Sequence, residues 1–147
     1  MSARTARRGP LVLDASVLLK WVLPPEREPG WAAALHIRDE WLEDRVDVLL
    51  PSLWIYEVGN ILGLKQPKHA PEILAALVQY RMPEVQMTEP LGRQAYALMA
   101  RFRVTFYDAA YHALALDRSG VLVTADDAYV AKAKSAGSIA RLTDWAS

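Results

Sequence analysis

Short apolar runs alternate along this chain with longer segments in which apolar residues recur at helical spacing. The runs at residues 10–14, 46–50 and 121–124 predict strands, and weaker strand candidates lie at 84–87 and 139–142. The segments between them predict helices at 16–23, 30–44, 52–64 with Ser52 as N-cap, 71–81, 89–102, 108–119 and 126–135. This alternation is typical of a parallel sheet covered on both faces, so we expect a three-layer α/β/α sandwich.

Composition limits the chemistry that this fold can carry. The chain has 147 residues, 52% of them apolar, which suits one domain over residues 10–147 behind a flexible tail at 1–9. It contains no cysteine, which excludes thiol nucleophiles, disulfides and thiolate-bound metals. Its 3 histidines share no ligand spacing on one helix. Any metal is therefore expected to be an oxygen-preferring ion, Mg²⁺ or Mn²⁺.

The charge balance and the N-terminus indicate where the protein works. Lys plus Arg and Asp plus Glu both total 17, and this zero net charge counts against non-specific DNA binding. The apolar stretch at 11–23 is interrupted by Asp14 and Lys20 and precedes no signal-peptide cleavage site. No stretch approaches the roughly 18 apolar residues that a membrane span needs. We expect a cytoplasmic protein with no membrane contact.

Acidic residues interrupt apolar sequence at the edges of the predicted elements. Burying an unpaired carboxylate is costly, and several carboxylates together repel one another, so a divalent cation is their natural partner. In a parallel α/β sheet, ligands bind beyond the carboxyl ends of the strands, where these segments are expected to meet. The acidic residues are Asp14, Glu57, Asp108 and Asp126.

Polar residues near these carboxylates complete a hydrolytic site. Ser16 follows Asp14 at a strand-to-helix turn, Asn60 shares a helix face with Glu57, and Thr124 precedes Asp126 on one strand face. Carboxylates holding one or two Mg²⁺ ions activate water and stabilise charge in phosphodiester hydrolysis, which needs no protein nucleophile.

Three of the four acidic residues also have a plainer interpretation, whereas Glu57 is harder to explain as structure because its segment is otherwise almost uncharged. Taken singly, Asp14 suits a turn, and Asp108 or Asp126 suits a helix N-cap. Since Asp127 follows Asp126 directly, we expect Asp126 to face the acidic site and Asp127 to begin the last helix. We expect His112 to be a packing histidine, and Lys20 to be a solvated helix charge with a phosphate contact as the alternative.

The segments 12–21, 51–60, 105–111 and 122–126 together resemble the motifs of PIN-domain ribonucleases, and most closely those of VapC-type toxins of toxin–antitoxin pairs. The resemblance covers residues 10–142 and implies a five-stranded parallel sheet, Mg²⁺- or Mn²⁺-dependent endoribonuclease activity on RNA, a homodimer, and a cognate antitoxin that wraps the toxin near its acidic pocket. Gly59, where alanine is frequent, and Asp127 depart from the family pattern. The implied catalytic and metal-binding quartet is Asp14, Glu57, Asp108 and Asp126, supported by Ser16, Asn60 and Thr124.

Two other classes of protein compete with this interpretation: an interaction protein, and a phosphotransfer domain that is either a phosphatase or a receiver. A catalytically inactive PIN-like fold could bind RNA or another protein, although such a protein has no reason to keep repelling carboxylates. A phosphatase that uses an aspartate nucleophile needs Asp-x-Asp after the first strand, where this chain has Ser16. A receiver domain needs an acceptor aspartate at the end of a middle strand, but the second predicted strand is closed by Pro51.

Overall fold

The computed structural model describes residues 9–145, whose strands form one parallel sheet in the order β3-β2-β1-β4-β5. Apart from Gly9, the predicted tail at residues 1–9 lies outside the described residues. The strands are β1 (Leu11–Leu13), β2 (Val48–Pro51), β3 (Glu84–Val85), β4 (Val121–Thr124) and β5 (Ile139–Arg141).

Helices connect the strands, and short 3₁₀ turns occupy Leu19–Trp21, Pro25–Arg27 and Lys134–Ala136. Over residues 9–145, no helix has both the length and the apolar character that a membrane crossing requires. The helices are α1 (Ala15–Leu18), α2 (Trp31–Leu42), α3 (Trp54–Lys65), α4 (Ala70–Gln79), α5 (Glu89–Phe102), α6 (Phe106–Asp117), α7 (Asp127–Ala133) and α8 (Leu142–Trp145).

The sheet is buried on both faces, as the pattern of the strands predicts. Leu11, Val12 and Leu13 point alternately to opposite faces of β1, yet all three are buried. Helix α6 packs across β1, β2 and β4, and its alanine-rich sequence lets α5 pack closely against it. The predicted α/β/α sandwich with a parallel five-stranded sheet is therefore confirmed.

The predicted N-cap at Ser52 is wrong. Its N–H donates to the Val85 carbonyl at 2.8 Å, which continues the pairing of β2 with β3 beyond Pro51. Helix α3 begins later, at Trp54, and Leu53 occupies the cap position without a side-chain hydrogen bond. Strand pairing thus takes the residue that local sequence assigns to the helix.

Most of the other predicted helix boundaries lie within two residues of the observed ones, but two differ in ways that concern the acidic residues. The segment predicted as one helix at residues 16–23 is the short helix α1 followed by the 3₁₀ turn Leu19–Trp21. Helix α6 begins at Phe106 rather than at Asp108, because Thr105 caps it by accepting the Asp108 N–H at 3.2 Å. Asp108 therefore lies in the first turn of α6.

Candidate active site

The acidic residues lie at the point where the order of the sheet reverses. After β1 the chain adds β2 and β3 on one side, and later β4 and β5 on the other. Strands β1 and β4 are parallel neighbours with Leu13 opposite Val123, so their carboxyl ends lie side by side. Asp14 directly follows β1, and Asp126 follows β4 after one intervening residue. Such a reversal is where ligands bind in open α/β sheets.

Hydrogen bonds across these two strands hold the Asp14 carboxylate in place. Ser16 Oγ donates to Asp14 Oδ1 and Thr124 Oγ1 donates to Asp14 Oδ2, both at 2.5 Å. The two hydroxyl oxygens in turn accept backbone N–H groups at 3.0 Å, Ser16 from Ala125 and Thr124 from Asp126. Ser16 and Thr124 therefore support Asp14 and tie the turn after β1 to the turn after β4.

Two aspartates of the predicted quartet are also helix N-caps. Asp14 caps α1 by accepting the Val17 N–H at 3.3 Å, and Asp126 caps α7 by accepting the Tyr129 N–H at 3.0 Å. A cap uses only part of a carboxylate's hydrogen-bonding capacity, because each of its two oxygens has two lone pairs. The structural and functional interpretations of these residues are therefore compatible.

Glu57 has a partner that sequence reasoning missed. Tyr111, on α6 and fully buried, donates its phenolic O–H to Glu57 Oε1 at 2.8 Å. The two residues are 54 positions apart, and the only local signal was a tyrosine one turn after Asp108 on the same helix. This hydrogen bond links α6 to α3 beside the acidic residues.

One cavity of about 460 Å³ brings the predicted quartet together. Asp14, Glu57, Asp108 and Asp126 all line it, and we call it the acidic cavity. Ser16 also lines it, whereas Thr124 is buried behind Asp14. Asn60 is exposed on α3 and is not among the residues that line the cavity.

Burial and mutual repulsion raise the proton affinity of the acidic residues. Burial raises the pKa of Asp14 to about 6, repulsion from Asp108 adds to this shift, and the hydrogen bonds from Ser16 and Thr124 oppose it. Burial likewise raises the pKa of Glu57 and of Asp108; Asp14 and Asp108 repel Glu57, and Asp126 repels Asp108. Without a cation, the cavity holds carboxylates that are electrostatically destabilised.

The expectation that Lys20 is a solvated charge is wrong. Only 9% of Lys20 is exposed, and its Nζ forms an ion pair with Glu28 Oε1 at 3.4 Å in the wall of the acidic cavity. Lys65 also lines the cavity, from the end of α3, and is exposed. One of the two cations that line this cavity is thus already neutralised.

The chemistry of the carboxylates suits a divalent cation, although no compact ligand set is preformed. Within residues 9–145, no three His, Asp or Glu side chains lie close enough together to coordinate one ion directly. Mg²⁺ usually keeps several water ligands and binds proteins through one or two carboxylates. A cavity lined by the predicted acidic quartet fits such a hydrated ion.

Asp126 and Asp127 occupy different environments. Asp126 lines the acidic cavity, whereas Asp127, the first residue of α7, has 79% of its side chain exposed and pairs with Arg141 Nε at 3.4 Å. His112 is completely buried between Tyr129 Oη and the Gly137 carbonyl, at 2.7 Å from each. Burial lowers the pKa of His112, and we assign it a packing role.

Comparisons with known proteins agree with this architecture. The chain resembles VapC20 of Mycobacterium tuberculosis, a sarcin–ricin loop cleaving toxin, with a TM-score of 0.57 and 15% identity over 73% of this chain and 82% of that one. It resembles PAE2754 of Pyrobaculum aerophilum with a TM-score of 0.64 and 25% identity over 92% and 90% of the two chains. A toxin–antitoxin complex from Klebsiella pneumoniae gives a TM-score of 0.64 and 14% identity over 90% and 97%.

Sequence comparison supplies the family. Among curated proteins, none matches the chain significantly. The family model of the PIN domain matches residues 11–135. This range includes β1 and β4, between which the strand order reverses, and all of the acidic quartet. The chain therefore belongs to the PIN domain family.

Proposed function

We propose that this protein is a Mg²⁺- or Mn²⁺-dependent endoribonuclease and the toxin of a toxin–antitoxin pair. The observation that carries the proposal is the acidic cavity, in which the four carboxylates of the predicted quartet, from separate segments, meet where the strand order of the sheet reverses. The resemblance to VapC20, a toxin that cleaves the sarcin–ricin loop, supports RNA as the substrate. The resemblance to a toxin–antitoxin complex supports an antitoxin partner.

In this proposal the ion would be held by Asp14, Glu57, Asp108 and Asp126. The bound ion supplies a Lewis acid that activates water and stabilises charge on the phosphate. Its charge also relieves the repulsion that raises the pKa values of Asp14, Glu57 and Asp108.

The chain's own residues orient the carboxylates. The hydroxyl protons of Ser16 and Thr124 are both donated to Asp14, which fixes the plane of that carboxylate. Tyr111 donates one hydrogen bond to Glu57 Oε1 and so holds that carboxylate in position. Because the Ser16 hydroxyl already donates to a carboxylate and accepts a backbone N–H, it serves as a positioning group rather than as a nucleophile. We propose that the nucleophile is water.

Cleavage of RNA by the purified protein tests this activity. Cleavage stops in excess EDTA and returns with Mg²⁺ or Mn²⁺, and Asp108→Asn lowers the rate by several orders of magnitude because it removes a carboxylate from the ion site. Asp127→Asn is the matched control, since Asp127 follows Asp126 in the sequence but does not line the acidic cavity. Undiminished cleavage in EDTA refutes the metal mechanism.

A homodimer and an antitoxin complex are parts of the same proposal. Helix α3, which carries Glu57, also presents Tyr56 and Leu64, with 75% and 77% of each side chain exposed. Contiguous exposed apolar surface marks sites that bind other proteins, and we propose that these two side chains belong to such a surface. A partner bound there lies beside the acidic cavity.

Growth assays test the toxin role. Expression of the wild-type chain slows growth, and co-expression of the neighbouring antitoxin gene restores it. Asp108→Asn is harmless in both settings, because the toxicity depends on cleavage. Equal slowing by wild type and variant contradicts a catalytic toxin and favours a binding protein.

A further inference from the structure

A second cavity of about 310 Å³ shares Asp108 and Asp126 with the acidic cavity, and we call it the flanking cavity. Its other walls come from the loop between α5 and α6 and from α7. Its volume falls at the lower end of the roughly 300–1,000 Å³ typical of small-ligand sites. Its remaining lining residues are Arg103, Val104, Thr105, Ala128, Tyr129 and Lys132.

The flanking cavity has two cationic side chains that no ion pair neutralises. Neither Arg103 nor Lys132 pairs with any carboxylate within residues 9–145, whereas in the acidic cavity Lys20 is paired with Glu28 and Lys65 alone is unpaired among the described residues. The charge of Lys132 nevertheless acts on Asp108, whose pKa it lowers against the larger effect of burial. Two cations thus line this cavity with their charges available to a ligand.

Thr105 also lines this cavity, but its hydroxyl serves Asp108. Its Oγ1 accepts the Asp108 N–H at 3.2 Å, and a hydrogen bond from its side chain to the Asp108 carboxyl lowers the pKa of that carboxyl. The donors left for a ligand are a guanidinium and an ammonium, both of which proteins use for phosphate oxygens. The shared wall of Asp108 and Asp126 places such a group next to the acidic cavity.

We propose that the flanking cavity binds the RNA nucleotide next to the scissile bond, with Arg103 and Lys132 contacting its phosphate. This inference rests on the proposed ribonuclease function. It also states on which side of the acidic cavity the RNA chain continues. The scissile phosphate lies over the acidic cavity, and the adjacent nucleotide lies on the α7 side of Asp108 and Asp126. Val104 and Ala128 provide apolar surface for the sugar or base.

The backbone at Arg103 permits a clean test. Arg103 follows α5 with φ 56°, in the left-handed region that glycine adopts without strain. Arg103→Gly therefore removes the guanidinium while keeping the backbone at least as favourable. Arg81 has φ 53°, is also exposed, and does not line either cavity. Arg81→Gly is thus a matched control for the loss of one arginine from the same backbone conformation.

The experiment measures binding separately from cleavage. All variants carry Asp14→Asn so that the RNA stays intact, and the affinity for a short fluorescein-labelled RNA of mixed sequence is measured by anisotropy over a range of salt concentrations. Arg103→Gly weakens binding about tenfold and reduces the slope of log affinity against log salt by about 0.7, the value for one phosphate contact on a single strand. Lys132→Gln acts in the same direction, and Arg81→Gly changes neither quantity.

The outcomes separate this inference from the proposed function. If Arg103→Gly and Lys132→Gln bind RNA with the affinity and salt slope of Arg81→Gly, the flanking cavity is not a phosphate site, even if the wild-type protein cleaves RNA. If the wild-type protein never cleaves RNA but both variants lose affinity and salt slope, the phosphate site stands and the nuclease mechanism fails. Urea unfolding of each variant shows that the fold is retained.

Discussion

Replacing Asp14 with asparagine should stabilise the metal-free protein at neutral pH. Only 8% of Asp14 is exposed, and burial, with repulsion from Asp108, raises its pKa from 3.8 to about 6. Because the folded-state pKa is higher, the folded chain holds the proton more tightly than the unfolded chain. The free energy of unfolding therefore falls as the pH rises from about 4 to about 6.

The size of this effect follows from the shift. A shift of about 2 pKa units corresponds to roughly 3 kcal/mol at pH 7, a cost that a neutral asparagine avoids. The carboxamide nitrogen cannot accept a hydrogen bond from Ser16 or Thr124, and the loss of one such bond costs about 1 kcal/mol. The variant should thus be about 2 kcal/mol more stable than wild type above pH 6, with the gain disappearing below about pH 4.

Urea unfolding in EDTA at pH 7 and pH 4 measures this difference. The midpoint for Asp14→Asn rises at pH 7 with an unchanged slope, and Mg²⁺ narrows the difference by stabilising the wild type. Asp127→Asn is the control, because its carboxylate is 79% exposed and pairs only with Arg141 among the described residues; it changes stability by less than about 1 kcal/mol. A variant less stable than wild type at pH 7 in EDTA refutes the electrostatic reasoning.

Three further predictions concern the same site. Tyr111→Phe removes the hydrogen bond that lowers the pKa of Glu57, so this pKa rises in an NMR titration and stability at pH 7 falls by about 1–3 kcal/mol; an unchanged titration contradicts the contact. Asp126→Asn abolishes cleavage of one RNA at saturating Mg²⁺, whereas Asp127→Asn retains most of the activity. If Asp127→Asn is the inactive variant instead, Asp127 rather than Asp126 is the catalytic carboxylate. Mg²⁺ at about 100 times its Kd stabilises the wild type by about 2.7 kcal/mol, and a thermal scan with no shift argues against an ion site in the folded protein.

The order of strands and helices follows from the sequence alone, because the spacing of apolar residues along the chain differs between strands and helices. The run Leu11–Leu13 is buried on both faces of the sheet, and a continuous apolar run is what such a strand requires. Asp14 ends that run, so its place at the carboxyl edge also follows from the sequence. A short edge strand was predicted at residues 139–142, and Ile139–Arg141 forms it. Boundaries such as Ser52 were less predictable, since pairing with Val85 decided where α3 begins.

Contacts between distant segments were decided only by the tertiary structure. Thr124 lies 110 residues from Asp14, and Tyr111 lies 54 residues from Glu57; which side chains meet depends on strand register and helix rotation. Helical spacing places Asn60 on the same side of α3 as Glu57, yet Glu57 lines the acidic cavity and Asn60 is exposed.

The flanking cavity likewise became visible only in the folded chain. Arg103 follows α5 and Lys132 lies in α7, and nothing in their sequence neighbourhoods relates one to the other. A repeating apolar pattern determines which face of an element is buried, because burial depends on average hydrophobicity. It does not determine which polar side chains from different elements share a cavity, because that depends on how whole elements pack in three dimensions.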